Sequence, residues 1–397
     1  MRTLGVEEEL LLVDERTGIP MAVAPRALAA AGDSGGAGDP HLGPSVEEEF
    51  KQEMLEAQTR PHSSTADLFD EIVAGRALAD RLVAPYGARA VALAMSPLAF
   101  VPHPTREPRY GTMMERYGAT ARNVLVCGCH VHVGIESREE GVAILDRIRN
   151  WLPVILALSA NSPFSNGDDT GYASYRFAAW HQWQSAGPTE VFGSAAAYEE
   201  FERTLVDTEV ILDHRMIYLD ARLPHQQPTV EVRIADVCLD PRDTIVLAAI
   251  IRALVDTAVD EWQAGIAPVS VPAAALRLAE WQAALTGATG RLPHPVHGRG
   301  ATGADAVDAL VTHVERALTA NGDDEPVREG LRRMLETGGG AGIQRQSFGR
   351  RGSLLDVVTD AIGVTHAQQA VVLRPPADIG GDVGDAEGET ASREATA

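Results

Sequence analysis

The stretch GVEEELLLVD, residues 5–14, places three consecutive glutamates in front of an apolar run. Side chains alternate between the two faces of a β-strand, so a strand here would put Glu7 and Glu9 on one face and Glu8 on the other. Two carboxylates on one face repel each other. The stretch therefore predicts either a solvated edge strand with surface charge or a pair of acids kept together by a cation between them.

The composition excludes several classes of partner. The 397 residues carry a formal net charge of −22 at pH 7, which disfavours nucleic acids and anionic membrane surfaces. The N-terminus lacks the apolar segment of a signal peptide, no apolar stretch could cross a bilayer, and three cysteines are too few for a disulfide framework. We therefore expect a globular cytoplasmic protein that binds small molecules, not nucleic acid or membranes; a homo-oligomer is left open.

Lys51 is the only lysine in the chain. A P-loop needs a lysine directly after a glycine-rich turn, whereas Lys51 lies in EEEFKQEM, which contains no glycine. Any phosphate bound by this protein must therefore be held by arginine, metal ions or backbone amides.

Helical and extended patterns are interleaved along the chain. Apolar spacing predicts helices over residues 63–87, 137–163 and 241–265, the second kinked at Pro153. Strands are predicted over residues 5–14, 88–97, 122–135, 215–224 and 229–237, with the last two joined as a hairpin. Because the strands alternate polar with apolar residues, we predict an α+β fold with a largely antiparallel sheet. One sheet face would be polar and carry the active site, and the other would pack on helices.

The composition changes at Pro375. Residues 1–374 contain the predicted helices and strands and are expected to form a single catalytic domain. Residues 375–397 are mostly Gly, Asp, Glu and Ala and include no aromatic residue. Such a segment cannot bury much apolar surface, so we predict an acidic disordered tail.

Two predicted strands carry polar pairs on one face. His130 and His132 share a face of CGCHVHVG, residues 127–134, and are either hydrogen-bonded structural residues or contacts to a metal or substrate. Glu231 and Arg233 share a face of TVEVRIAD, residues 229–236. They are either an ordinary ion pair or a metal ligand next to an arginine that stabilises phosphate charge.

Further acids lie in EEEFKQEMLEAQT, residues 47–59, and include Glu49 and Glu56. Strict strand parity would place these two on opposite faces, so both can be metal ligands only if the chain bends between them; otherwise they belong to a surface charge cluster. Carboxylates combined with arginines favour Mg²⁺ or Mn²⁺ over zinc. The segment of residues 166–183 adds residues that line a pocket or form an amphipathic segment: Tyr172, Tyr175, Arg176, Trp180 and Trp183.

The sequence resembles the type 2 glutamate–cysteine ligase family, bacterial carboxylate–amine ligases related in fold to glutamine synthetase. The resemblance covers about residues 1–260 and is carried, in this order, by GVEEELLLVD, EMLEAQT, CGCHVHVGI, GYASYRFAAWHQW and PTVEVRIADVCLDP. It implies a glutamine-synthetase-like fold. It also implies a metal site formed by Glu7, Glu9, Glu49, Glu56 and Glu231, with Glu49 at a position where related ligases often have aspartate.

The resemblance further implies a reaction and roles for other residues. Arg233 and Arg176 match arginines that bind phosphate and carboxylate and are predicted as catalytic. His130, His132 and Tyr175 are predicted, together with Arg233, to bind the ATP cofactor. In the implied reaction, the γ-carboxylate of glutamate attacks ATP to give an acyl phosphate, and the amine of cysteine then displaces phosphate. Mg²⁺, or Mn²⁺ in its place, would neutralise the phosphoryl oxygens.

Three alternatives remain open on the sequence. A carboxylate–amine ligase could use a different amine. A zinc-dependent hydrolase could use the His130–His132 pair, although such enzymes place the pair near the start of the chain and often use a bridging lysine. A non-catalytic relative could bind a nucleotide or amino acid and regulate a partner; the intact carboxylates argue against this reading.

Overall fold

The computed structural model describes residues 1–32, 37–38 and 43–368, so the predicted tail of residues 375–397 lies outside the described residues. The strands of the described part are β1 (Leu4–Asp14), β2 (Ser45–Glu48), β3 (Met54–Gln58), β4 (Ala88–Val91), β5 (Gly128–Gly134), β6 (Phe164–Ser165), β7 (Asp168–Asp169), β8 (Ala221–Arg222), β9 (Thr229–Asp236), β10 (Arg291–Pro293) and β11 (Gly300–Thr302). The helices are α1 (Ala24–Gly32), α2 (Thr65–Val83), α3 (Pro108–Asn123), α4 (Arg138–Ile148), α5 (Leu152–Ser159), α6 (Tyr175–Trp180), α7 (Ala195–Asp207), α8 (Pro241–Gln263), α9 (Ala273–Thr286), α10 (Gly303–Asn321), α11 (Asp324–Thr337), α12 (Gly339–Arg351) and α13 (Leu354–His366).

One seven-stranded sheet organises the protein. Its strand order is β2-β3-β1-β5-β9-β8, with β4 also paired to β1. Every pairing in this sheet is antiparallel, including the predicted hairpin of β8 and β9. The predicted α+β class with a largely antiparallel sheet is therefore confirmed. The length of β1 explains its central place, because its 11 residues pair with β3, β5 and β4.

The apolar face of the sheet packs on α2, α4, α5 and α8. Val131 of β5 and Val232 of β9 alternate with polar residues and are almost fully buried there. The long helix α8 presents Leu247 and Ile250 to the same core. Each such side chain contributes about 1.5–3 kcal/mol by leaving water. The alternation in sequence thus fixes which face of the sheet stays polar.

The middle glutamate of the opening trio points to the apolar side, as strand parity predicts. Arg76 of α2 donates two hydrogen bonds of 2.7 Å to the Glu8 carboxylate, and the Thr244 hydroxyl donates a third of 2.7 Å. Arg76 also donates to the carbonyl of Leu239. A buried charge is tolerated when it is paired and hydrogen-bonded, so Glu8 ties β1 to α2 and α8.

The prediction of one kinked helix over residues 137–163 is wrong. The chain forms two helices there, with α4 ending at Ile148 and α5 beginning at Leu152. Pro153 lies in the first turn of α5, where its missing N–H would have no intrahelical partner anyway. Proline here begins a new helix instead of bending an existing one.

The last described helix completes a second core on the other end of β1. Val357, Val358 and Ala361 of α13 are buried, and Val358 and Ala361 pack in the core that also contains β4. The amide of Ala92 donates to the Thr365 hydroxyl at 3.1 Å. The C-terminal part of the described chain thus closes a core formed by its N-terminal part.

Among the described residues, no helix is long and apolar enough to cross a membrane.

Candidate functional site

The polar face of the sheet is the floor of a cavity of about 630 Å³. Strand register assembles it: Glu7 on β1 lies opposite His130 on β5, and Glu9 lies opposite Glu56 on β3. On the far side of β5, His132 lies opposite Glu231 of β9. The predicted face of paired acids and histidines is therefore present, and the acids of the opening trio do not form a plain surface patch.

A β-hairpin brings Glu49 to the same place. β2 ends at Glu48 and β3 begins at Met54, so the chain reverses between Glu49 and Glu56 and their carboxyl groups approach each other. The bend that the sequence required between these two acids is confirmed. Lys51, in the turn, donates from Nζ to the carbonyls of Ala121 at 2.5 Å and Arg122 at 3.1 Å, where α3 ends. The single lysine therefore anchors the hairpin.

Glu7, Glu9, Glu49 and Glu56 form what we call the carboxylate cluster. Among the described residues, Glu9, Glu49 and Glu56 have no ion-pair partner, while Glu7 contacts only histidines. Burial raises the pKa of Glu9. Burial, reinforced by the charges of Glu7 and Glu49, raises the pKa of Glu56 well above its ordinary value. Crowded acids, three of them without an ion-pair partner among the described residues, offer several carboxylate oxygens and fit a hard divalent cation such as Mg²⁺ or Mn²⁺.

Glu7 joins the carboxylate cluster to the histidine strand. Its carboxylate oxygens lie 3.1 Å from His130 Nδ1 and 3.2 Å from His132 Nε2. Burial would raise the pKa of Glu7, but these two contacts hold it well below its ordinary value. Burial and the charge of Arg233 lower the pKa of His130, whereas Glu7 overcomes burial and raises the pKa of His132. The pKa values of the two histidines are therefore shifted in opposite directions although the two residues share a strand face.

Glu231 lies between two arginines. Arg222 Nε donates to it at 2.7 Å, and Arg233 forms a short hydrogen bond with it. Burial would raise the pKa of Glu231, but Arg233 and Arg222 hold it well below its ordinary value. Ligand atoms of Glu231, Glu7 and His132 lie within 4.8 Å of one another. Glu231 thus orients two guanidinium groups, and its role as a metal ligand stays a prediction.

Sequence reasoning missed Arg222. It belongs to β8, a strand of only two residues, and lies directly opposite Glu231 in the register. The predicted hairpin contained a usable signal, because opposite charges favour facing positions on neighbouring antiparallel strands. The turn length that sets this register was not readable from the sequence.

A β-bulge in β9 determines where Asp236, the last residue of that strand, lies. Cys129 pairs with Ala235 and Val131 with Val232, so β9 has one extra residue between these pairs. The bulge places Asp236 opposite Gly128, on the polar face. Asp236 accepts hydrogen bonds from the amide of Asn161 and the hydroxyls of Ser162 and Ser174, each of 2.8 Å.

Ser174 caps α6, and this helix directs the predicted aromatic segment. Trp180 and Trp183 line the cavity, as one reading of the sequence expected. Arg176 and Tyr175 are not among its lining residues. The Arg176 guanidinium lies over Gly128, 3.7 Å from Asp236, and the Tyr175 ring packs on Tyr172. The predicted roles of Arg176 and Tyr175 in substrate and ATP binding stay predictions that no contact to the cavity supports.

The remaining wall of the cavity comes from residues that no sequence motif indicated. Tyr218 and the Arg109–Asp213 ion pair line it, with Arg109 Nη2 3.0 Å from Asp213 Oδ1. Burial raises the pKa of Tyr218 to about 12, so its hydroxyl stays protonated. These residues lie in loops and in α3, where neither alternation nor spacing marks a binding residue.

The polar face therefore has two unlike halves. The carboxylate cluster on β1, β3 and the β2–β3 turn is anionic and suited to a divalent cation. Arg222 and Arg233 on β8 and β9 supply forked donors suited to phosphate or carboxylate. A metal ion next to these two arginines, over the same cavity, can bind and polarise a phosphorylated substrate.

Comparison with known proteins identifies relatives over almost the whole chain. The model of glutamate–cysteine ligase family 2 matches residues 3–360. A protein of Paenarthrobacter aurescens, named "Putative glutamate–cysteine ligase 2-1", is 48% identical over 366 residues, which cover 92% of this chain and 95% of that protein. A similarly named protein of Streptomyces coelicolor is 47% identical over 367 residues and is covered completely, with 92% of this chain matched.

Solved structures share the fold at low sequence identity. A glutamate–cysteine ligase from Francisella tularensis, in complex with AMP, matches with a TM-score of 0.65 and 12% identity over 94% of each chain. A bifunctional glutathione synthetase from Pasteurella multocida matches with a TM-score of 0.62 and 15% identity over 92% of this chain and 52% of that one. These matches show that the chain shares the fold of these two proteins.

Proposed function

The chain belongs to glutamate–cysteine ligase family 2, and from this premise we propose that it is an ATP-dependent carboxylate–amine ligase. Its proposed substrates are L-glutamate, L-cysteine and ATP, and its products γ-glutamylcysteine, ADP and phosphate. The observation that carries the proposal is the placement of the carboxylate cluster beside Arg222 and Arg233 over one cavity. ATP-dependent amide formation needs both halves of this face.

The carboxylate cluster would hold the metal of the reaction. Glu9, Glu49 and Glu56 have no ion-pair partner among the described residues, and Glu7 pairs only with His130 and His132. When bound, Mg²⁺ neutralises phosphoryl oxygens and so lowers the barrier to attack on phosphorus. Glu231 is the fifth proposed ligand, although the two arginines already balance its charge.

The arginines would replace the lysine that a P-loop supplies. Arg233 is held by Glu231 on one side, while its buried Nε has no hydrogen-bond partner among the described residues. Arg222 is fixed by Glu231 and by the carbonyl of Ile217 at 3.1 Å. Both guanidinium groups are therefore preorganised, so they can stabilise the charge that develops on the transferred phosphoryl group without first reorganising.

The proposed reaction has two steps, and each bond that forms is matched by a bond that breaks. A γ-carboxylate oxygen of glutamate attacks the terminal phosphorus of ATP, the bond to ADP breaks, and an acyl phosphate forms. The amine of cysteine then attacks the acyl carbon, phosphate leaves, and the amine loses a proton. Trp180, Trp183 and Tyr218 line the same cavity, where their rings would reduce the access of water to an acyl phosphate.

An assay of the purified full-length chain tests the proposal. The protein is incubated with ATP, MgCl₂, glutamate and cysteine, and phosphate release is followed together with the mass of the products. We expect phosphate release that depends on both amino acids and on Mg²⁺, and a product with the mass of γ-glutamylcysteine. Omitting each component in turn is the control, and EDTA should stop the reaction.

Other outcomes would select another function. Phosphate release with glutamate and an amine other than cysteine would keep the ligase and change its acceptor. Hydrolysis of an amide in the presence of zinc, without consumption of ATP, would replace the ligase by a hydrolase. The geometry does not favour that hydrolase, because His130 groups with Glu7 and Glu56 whereas His132 groups with Glu7 and Glu231. Nucleotide binding without turnover of any substrate pair would indicate a regulatory relative.

A further inference from the structure

Three side chains converge in the protein interior outside the cavity. His181 follows α6, Asp220 directly precedes β8, and Glu280 lies in the middle of α9. One ligand atom from each lies within 4.8 Å of the other two. None of the three lines the cavity over the sheet. We call these three residues the interior cluster.

Four polar atoms of the interior cluster are buried and lack a donor or acceptor from outside the cluster among the described residues. They are both carboxylate oxygens of Glu280, Oδ2 of Asp220 and Nε2 of His181. Glu280 is 0% exposed and Asp220 is 4% exposed, and their carboxyl groups lie close enough to share a hydrogen bond when one of them is protonated. An isolated buried carboxylate is costly, and two adjacent ones cost more, so this arrangement needs a proton or a cation between them.

The neighbouring arginines do not meet that need. Arg176, Arg277 and Arg149 are near enough to act on the charge of the interior cluster. None of them donates a hydrogen bond to Glu280 or to Oδ2 of Asp220. The carboxylates therefore keep free lone pairs that face one another and His181.

The histidine is oriented as metal-binding histidines are. His181 Nδ1 lies 2.8 Å from the carbonyl oxygen of Phe177. Because a carbonyl only accepts, Nδ1 carries the proton, and the lone pair of Nε2 points toward the two carboxylates. Anchoring one ring nitrogen on a backbone carbonyl fixes the tautomer and raises the basicity of the other nitrogen.

We propose that His181, Asp220 and Glu280 form a second metal site, separate from the carboxylate cluster, that binds a zinc-like transition-metal dication. One imidazole nitrogen and two carboxylate oxygens supply three ligands and leave a fourth position for water. The imidazole distinguishes this site from the all-oxygen set expected for Mg²⁺. Two carboxylates with a neutral histidine balance the charge of one dication.

Such an ion would hold together the elements next to the phosphate arginines. The carbonyl of Asp220 accepts a hydrogen bond from the amide of Arg233 at 2.8 Å, and its amide donates to the carbonyl of Gly187 at 3.3 Å. Asp220 also directly precedes the strand that carries Arg222. A metal on the interior cluster would thus tie α6 and α9 to β8 and β9. Its role is structural, and it takes no part in the proposed reaction.

Metal content of the full-length chain tests the site. The protein and its variants are loaded with zinc, desalted and measured by elemental mass spectrometry. We expect the wild type to hold one zinc ion per chain more than His181→Gln and Glu280→Gln do, whatever zinc the carboxylate cluster and its neighbouring histidines also retain. The matched control is Glu9→Gln, which changes the carboxylate cluster and should keep the interior zinc. Equal zinc in His181→Gln and wild type would overturn the proposal.

Two further measurements separate loss of the metal from loss of the fold. Circular dichroism should show that Glu280→Gln is folded, and Co²⁺ should give visible absorption bands in the wild type that this variant lacks. Zinc added to EDTA-treated wild type should raise Tm by roughly 5 °C and leave Tm of Glu280→Gln unchanged. Absence of stoichiometric zinc, of Co²⁺ bands and of a Tm response would show that the carboxylates share a proton instead.

Discussion

Among single residues, Arg233 has the most specific expected role. Glu231 fixes its guanidinium beside the carboxylate cluster, so it can offer two coplanar donors to a phosphoryl group. Arg233→Lys keeps the charge and removes the fork. We expect kcat to fall by about 10²–10³-fold, the scale for loss of one transition-state donor, while KM for ATP changes far less. Steady-state kinetics with varied ATP measure both.

A matched control for this change is Arg89→Lys. Arg89 makes a comparable two-donor contact with Asp80, and neither residue lines the cavity. It should leave kcat unchanged, so a loss confined to Arg233→Lys reports on the site and not on arginine replacement as such. Wild-type kcat in Arg233→Lys would show that this guanidinium does not face the transferred phosphoryl group.

Glu56 allows a prediction about metal and pH together. Burial and neighbouring carboxylates raise its pKa above the ordinary 4.5, so the folded protein binds a proton there more tightly than the unfolded chain does. In EDTA, the stability gained from this carboxyl is present below pH 4.5 and is lost as pH rises through the folded-state pKa. We expect Glu56→Gln to reduce this loss and to weaken the stabilisation by Mg²⁺, as measured by thermal unfolding across pH and Mg²⁺ concentration.

The control for Glu56→Gln is Glu329→Gln, the same chemical change at an exposed position of α11. It should keep both the wild-type pH profile and the wild-type response to Mg²⁺. A Glu56→Gln protein that gains as much Tm from Mg²⁺ as the wild type does would remove Glu56 from the metal site.

Among the strands, β1 has a different function on each face, and its apolar side can be tested separately. Arg76→Met removes the only charged partner of Glu8 among the described residues and leaves that carboxylate buried. We expect the free energy of unfolding to fall by about 3–5 kcal/mol. The double variant Glu8→Leu with Arg76→Met should be less destabilised, because no unpaired charge remains. Chemical denaturation measures all three.

Arg81→Met lies on the same helix but is exposed, so it controls for loss of an arginine from α2. It should change the unfolding free energy by about 0.5 kcal/mol or less. If the double variant were as unstable as Arg76→Met, the cost would come from lost packing around Arg76 and not from the unpaired charge of Glu8.

The strands also show how far the sequence can be interpreted. Local alternation was enough to predict the two faces of β1 and the shared face of Glu231 and Arg233, because strand parity is a property of consecutive residues. The bulge in β9 and the pairing of Arg222 depend on register between strands, which consecutive residues do not encode. The two helices around Pro153 show the same limit, since a kink and a helix start have similar local patterns.

The interior cluster could not be predicted from the sequence for a related reason. Asp220 lies 39 positions after His181, and Glu280 lies 60 positions after Asp220. No spacing motif links them, and Glu280 resembles any acid on an amphipathic helix. Only the packing of α9 against α5 and α6 shows that it is buried.

A final prediction concerns the whole molecule and tests how far α13 stabilises it. This helix lies at the end of the described residues yet packs on the core of β1 and β4, with Val358 1% and Ala361 2% exposed. Removing residues 354–397 would expose that core and break the bond between the Ala92 amide and Thr365. We expect a loss of about 1.5–3 kcal/mol from Val358 alone, and therefore a fall in Tm.

Removing only residues 375–397 separates α13 from the segment beyond it. That segment has no aromatic residue and cannot bury much apolar surface, so its loss should leave Tm and activity nearly unchanged. Val358→Ala tests the same core without shortening the chain, and it should lower Tm while calorimetry still shows a single transition. Two separate transitions in the full-length protein would contradict a single domain over residues 1–374, because the contacts of α13 with β4 would then not couple the two ends of the chain.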